Sequence, residues 1–126
     1  MPAVRSLDHL VLTVADPDRT AAFYVRHLGM EAVTFGEGRR ALRFGGAKIN
    51  LHQAGSEIAP YARRPTPGSA DLCFLIDEPV ADVRRALLAD GIECTAPAPR
   101  TGACRPLMSI YLRDPDGNLI ELANEL

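Results

Sequence analysis

The chain contains no tryptophan, and its aromatic side chains are four phenylalanines and three tyrosines in 126 residues. So few rings offer little stacking surface for a large planar ligand. Cysteine is equally sparse. Cys73, Cys94 and Cys104 make an odd set with no CxxC spacing, which excludes a disulfide framework and a zinc ribbon. Such a set fits reduced thiols in a cytosolic protein. Cys73 lies in an apolar strand and is expected to be packed; Cys104 lies in a polar loop with no adjacent histidine to make it a nucleophile. Charge of one sign is also lacking. Lys plus Arg number 14 against 16 Asp plus Glu, a net charge of −2, so nothing argues for nucleic acid or an anionic membrane as partner. Arg39, Arg40 and Arg43 lie close together and are expected at a solvated hairpin edge. No apolar run approaches the ~20 residues of a membrane span. The opening MPAVRSLDH has no apolar leader core, so export is not expected and the cytoplasm is the expected location.

What is present is a repeated unit. A shift of 62 positions lays LDHLVLTVADPDRTAAFYVRHLGME over SADLCFLIDEPVADVRRALLADGIE, with Leu10 on Leu72, Pro17 on Pro79, Gly29 on Gly91 and Glu31 on Glu93. Each copy begins with an apolar strand. Asp16-Pro17 opens a helix in the first and Glu78-Pro79 in the second, with the proline expected at the first helical position. Gly29 and Gly91 stop these helices. Phe23, Tyr24 and Leu28 mark the apolar face of the first, and Val80, Val83 and Leu87 that of the second. Shorter strands follow, punctuated by GEG and GG in copy one and by Asp114-Pro115-Asp116-Gly117 in copy two. The reading is α+β: one domain over residues 1–126 made of two βαβββ modules, roughly 5–55 and 69–124, with a proline-rich linker over 56–68. One such module leaves a sheet face bare. Two together are expected to form a curved mixed sheet, helices outside and a cup within.

Ionisable residues stand in strands that are otherwise apolar. His9, Val11 and Thr13 share a strand face, as do Asp71, Cys73 and Leu75, and Glu121 stands between Ile120 and Leu122. Burying three such groups is costly unless they meet something that offsets their desolvation. A divalent cation is one such thing. A hydrogen-bonded core histidine is the plainer explanation of His9 taken alone.

The two βαβββ modules, the LDHL first strand, FYVRHLGM in the first helix and DPDGNLIEL near the end resemble the vicinal oxygen chelate superfamily over nearly the whole chain. That superfamily includes glyoxalase I, extradiol dioxygenases and bleomycin-resistance proteins. RTGACRPLMSIYLRDPDGNLIEL is most similar to small glyoxalase-domain proteins, some labelled virulence proteins. The resemblance implies a metal at the bottom of the cup, held by one first-strand and one last-strand residue of each module. The repeat puts His9 and Asp71 at the first-strand positions; overlaying GAKINL on GNLIEL puts Asn50 and Glu121 at the last-strand positions. His52 shares the face of Asn50.

The set expected to bind metal is His9, His52 and Glu121, with open positions for water or substrate; Fe, Zn, Ni or Mn would suit it. Asp71 is a further ligand, a nearby acid, or simply a capping residue at the strand entry. No organic cofactor is implied. The resemblance points to a small oxygen-rich substrate chelated through two neighbouring oxygens, and to glyoxalase-type lyase or isomerase chemistry with Glu121 or Asp71 as base. Tyr111 is a candidate proton donor, and Arg100, Thr101 and Gly102 are expected in a loop over the mouth. Extradiol cleavage is the alternative, weakened because His27 in the first helix is the only histidine left over for acid–base work. Metal-free sequestration of a small molecule, in the manner of bleomycin-resistance proteins, is the third reading. A homodimer is expected by resemblance.

Overall fold

A computed structural model describes all 126 residues. The chain forms two compact units, Met1–Pro67 and Gly68–Leu126. The first contains β1 (His9–Val14), α1 (Pro17–Leu28), β2 (Glu31–Phe35), β3 (Arg39–Phe44) and β4 (Ala47–Gln53). Its four strands lie in the order β1-β4-β3-β2, with β1 parallel to β4 and the other pairs antiparallel. The second contains β5 (Asp71–Leu75), α2 (Val80–Ala89), β6 (Ala98–Thr101), β7 (Pro106–Arg113) and β8 (Leu119–Glu125). Its order, β5-β8-β7-β6, repeats the same pattern. Each unit is βαβββ, and the fold is α+β.

Each helix covers one face of its own sheet. In α1, Asp16 in extended conformation accepts hydrogen bonds from the amides of Asp18 and Arg19, Pro17 takes the first turn, and Gly29 ends the helix at φ 65°. A side chain would strain that left-handed position. The buried side of α1, Thr20, Ala21 and Tyr24, packs against β3 and β4, and Leu12, Val14, Leu42, Ile49 and Leu51 are buried in the same unit. Alternation along β1 then leaves His9 and Val11 exposed on the other face. Those two residues thus lie on the face of the sheet away from α1.

The second helix starts differently from its sequence counterpart. Pro79 is the N-cap rather than the first helical residue, and no side chain of its own segment caps the helix. The cap comes from β8. Asn124 accepts the amide of Val80 at 2.8 Å through Oδ1, and its Nδ2 donates to the carbonyls of Ile76 at 3.0 Å and Glu78 at 2.9 Å. Proline in place of the helix-capping aspartate explains the need, because it has no side-chain acceptor. Asn124→Ala removes all three bonds and is expected to cost about 2 kcal/mol. A shift in the urea midpoint, with an unchanged m-value, would measure it.

Arg40 also departs from the solvated-edge expectation. It pairs with Asp18 of α1, and Arg39 lies over the Phe35 ring, its guanidinium carbon 4.9 Å from the centroid. Only Arg43 of the three is exposed.

Candidate functional site

On the open face of the first unit, strand register sets the neighbours. His9 is level with Lys48, Val11 with Asn50 and Thr13 with His52, while Asn50 is level with Ala41 of β3. His9 is half-exposed, and the Asp8 carboxylate lies 2.8 Å from its Nδ1. That contact orients the ring and leaves Nε2 free as a donor atom, the arrangement by which carboxylates commonly support histidine ligands. Asn50 and His52 are buried, at 5% and 3% exposure. Neither Oδ1 of Asn50 nor either ring nitrogen of His52 has a hydrogen-bond partner. Buried polar atoms without partners are rare and call for an explanation.

His9 and His52 are not brought together. They stand four rungs apart on a parallel strand pair, about 13 Å along the strands at ~3.3 Å per residue. Asn50 is only two rungs from His9 on the same face. His52 lies instead at the end of the sheet, lining a cavity of about 530 Å³ with Asp16, Arg39, Arg40 and Ile58. Glu57, in the following loop, is held below the ordinary carboxylate range chiefly by the Gly55 amide, which donates to it at 2.9 Å, with a smaller contribution from His52.

The second unit gathers its candidates more closely. Glu121 of β8 is flanked directly by Cys73 of β5 and Tyr111 of β7. It therefore holds the place that Asn50 holds in the first unit, between the residue 62 positions after Val11 and a residue of the neighbouring antiparallel strand. Asp71 is two residues before Cys73 on the same face. The Cys73 thiol is pushed up to about 11, first by burial, then by the charge of Glu121, by their hydrogen bond and by Asp71. A cavity of about 350 Å³ is lined by Cys73, Thr101, Cys104, Glu121 and Glu125.

Two expectations change here. Cys73 is exposed rather than packed, because its strand face is open. Arg100 and Thr101 belong to β6 rather than to a loop over the mouth. Arg100 Nε donates to the Tyr111 hydroxyl at 3.1 Å, a link the sequence did not reveal, since β6 had no apolar pattern to announce it. Within neither unit do three or more His, Cys, Asp or Glu side chains come together as a preformed metal cluster. The donors that fit a divalent ion are therefore His9 Nε2 and the unpartnered Asn50 Oδ1 in the first unit, and the Glu121 carboxylate in the second. Nitrogen and oxygen donors of this kind suit Fe, Zn, Ni or Mn.

Two four-stranded mixed sheets, each built as βαβββ with a single covering helix, define a glyoxalase-like α+β fold. Residues 6–122 match the Glyoxalase/Bleomycin resistance protein/Dioxygenase superfamily, and the chain belongs to it. Glyoxalase domain-containing protein RDO1 of Mycosarcoma maydis is 56% identical over 123 residues, 97% of this chain and 69% of that protein. Virulence protein STM3117 of Salmonella typhimurium is 56% identical over 118 residues, 93% of this chain and 82% of that protein. The crystal structure of STM3117 matches with a TM-score of 0.97 at 52% identity, covering 99% of this chain and 100% of that one. Lactoylglutathione lyase from Agrobacterium tumefaciens shares the fold, with a TM-score of 0.75 at 21% identity over 98% of this chain and 96% of that one.

Proposed function

We propose that this chain is a metal-dependent enzyme of the superfamily, acting on a small oxygen-rich substrate by lyase or isomerase chemistry of the glyoxalase kind. The observation that carries the reading is the buried, unpartnered Asn50 Oδ1, two rungs from His9 on the same open face. An acceptor in that state is stabilised by a cation and is costly without one. We assign His9 and Asn50 as the donors of the first unit, in preference to His52, whose place four rungs from His9 does not suit the same ion, and Glu121 as the donor of the second.

A bound divalent ion would supply Lewis acidity to two neighbouring substrate oxygens. The chain's own residues do the rest. Asp8 holds the His9 ring by its Nδ1 edge. Glu121 takes a proton from substrate carbon and returns it to the neighbouring position, with Asp71 as a second acid on that face. Tyr111, directly across from Glu121, donates its hydroxyl proton to the substrate oxygen on which charge develops. Extradiol chemistry is not preferred, because neither remaining histidine stands by the assigned donors: His27 lies against Phe23 within α1, 5.0 Å between ring centroids, on the helix that covers the opposite face of the sheet, and His52 is four rungs from His9. The same reading makes the protein a cytosolic homodimer that binds neither nucleic acid nor membrane. No helix is long and apolar enough to cross a membrane.

Elemental analysis of tag-free protein, followed by titration with each candidate ion, tests this. The expected result is near-stoichiometric metal in the wild type, with affinity reduced about tenfold or more in His9→Ala and little changed in His52→Ala. Equal losses in both variants would restore His52 as a ligand. Failure to retain Fe, Zn, Ni or Mn would leave a metal-free binding protein as the better description.

A further inference from the structure

On the Glu121 face the guanidinium of Arg100 is fixed in place without an acid. Its Nε donates to the Tyr111 hydroxyl at 3.1 Å, its Nη1 to the Pro99 carbonyl at 2.8 Å, and its guanidinium carbon lies 5.4 Å from the Tyr111 ring centroid. Arg40 and Arg85, by contrast, are neutralised locally, by Asp18 and Asp82. Arg100 has no such partner, and the Nη2 edge of its fork is unused. Because Tyr111 accepts from Arg100, its own hydroxyl proton remains available to a third group. Arg100 and Leu107 are paired across β6 and β7, and Tyr111 and Glu121 across β7 and β8. Alternation puts all four on one face of the sheet.

We infer that the substrate carries an anionic oxygen group, in the simplest case a carboxylate, and that Arg100 and Tyr111 bind it together beside Glu121. This rests on the reading above that the Glu121 face is where substrate reacts. A fixed cation next to a free hydroxyl donor presents two N–H or O–H groups to one oxyanion, and charge-assisted pairs of this kind are the strong ones. An uncharged substrate would leave the guanidinium edge without a role. A second negative group near Glu121 would also be repelled unless such a cation met it, so Arg100 selects acidic substrates as well as holding them. The two parts divide the work: Arg100 supplies the positive charge and its free Nη2 donors, and Tyr111 supplies its hydroxyl donor to the same anionic group.

The test is an NMR titration of the full chain with pyruvate, a small anion with two neighbouring oxygens, and with hydroxyacetone, its uncharged counterpart. Pyruvate is expected to shift the Arg100 Nε–H and Tyr111 ring signals saturably, and hydroxyacetone to bind at least about tenfold more weakly. Arg100→Gln should weaken pyruvate about tenfold or more without moving the thermal midpoint, and Arg100→Lys should recover part of that loss. Unchanged pyruvate binding in Arg100→Gln, equal binding of the two probes, or no shift at Arg100 and Tyr111 at tens of millimolar probe would overturn the inference. Repeating the titration with a chelator present separates it from the metal reading. A pyruvate response at Arg100 that survives chelation supports this pair even where the metal analysis is negative.

Discussion

Asp114→Ala is expected to lower the stability of the chain by about 3 kcal/mol, read as the shift of the urea midpoint at constant m-value. The reason lies in how the DPDGN turn is built. Asp114 is 5% exposed, and its Oδ1 accepts the amides of Asp116 at 2.9 Å and Asn118 at 3.0 Å. Its Oδ2 accepts Nδ2 of Asn118 at 2.8 Å, and Asn118 Oδ1 in turn accepts the amide of Ala70 at 2.9 Å, just before β5. Alanine would leave these buried donors with nothing to receive them, and each such loss carries the desolvation penalty of the group.

The same turn joins β7 to β8 and ties the start of β5 to both. Gly117 turns the chain at φ 88°, and Leu119 donates to the Ala70 carbonyl at 3.0 Å. Gly68 approaches so closely that a Cβ there would lie 2.6 Å from the Asp116 carbonyl oxygen. Asn118→Ala is expected to cost a similar amount, and the double variant much less than the sum, because the two residues share one network. Full additivity would show that the turn is not a unit. DPDGN is thus a structural motif: it sets the register of β8, and so where Glu121 stands relative to Cys73 and Tyr111.

How far the sequence revealed this fold depended on whether the signal was local. The helix of the first unit was legible because Asp16, Pro17 and Gly29 act on their own segment. The cap of α2 was not, because Asn124 lies 44 residues from Val80 in the chain and meets it only in the folded unit. Cys73 illustrates a second limit. An apolar run shows that a strand exists, but alternation does not say which face another element covers, and here the cysteine face is open. Position 50 shows a third. Overlaying GAKINL on GNLIEL places Asn50 and Glu121 at equivalent rungs, and the strand register has them so. The two-residue periodicity that also admits His52 keeps the face but not the distance along the strand. Faces are read from sequence; spacings between strands need the pairing partner.

Glu121→Gln is expected to weaken metal binding about 100-fold or more, beyond the range found when only a supporting residue is lost, while leaving stability within about 1 kcal/mol. Glutamine keeps the shape and one carbonyl acceptor but removes the negative charge with which Glu121 would hold the proposed divalent ion. The stability forecast follows from the position: Glu121 lies on an open face, without the buried network that surrounds Asp114. Cys73 supplies an independent readout. Its thiol stands at about 11, with burial the largest cause and the Glu121 charge next. A carboxylate beside a thiol disfavours the thiolate, so neutralising position 121 moves the Cys73 pKa down. It stays above the ordinary value because burial is unchanged. The thiolate is the reactive form, so alkylation of Cys73 at about pH 9 should be faster in Glu121→Gln than in the wild type, with Cys94 and Cys104 as internal controls resolved by peptide mass. Faster alkylation with unaltered metal affinity would separate the two roles: Glu121 would remain the charge beside Cys73, and the ion would have to be held without it.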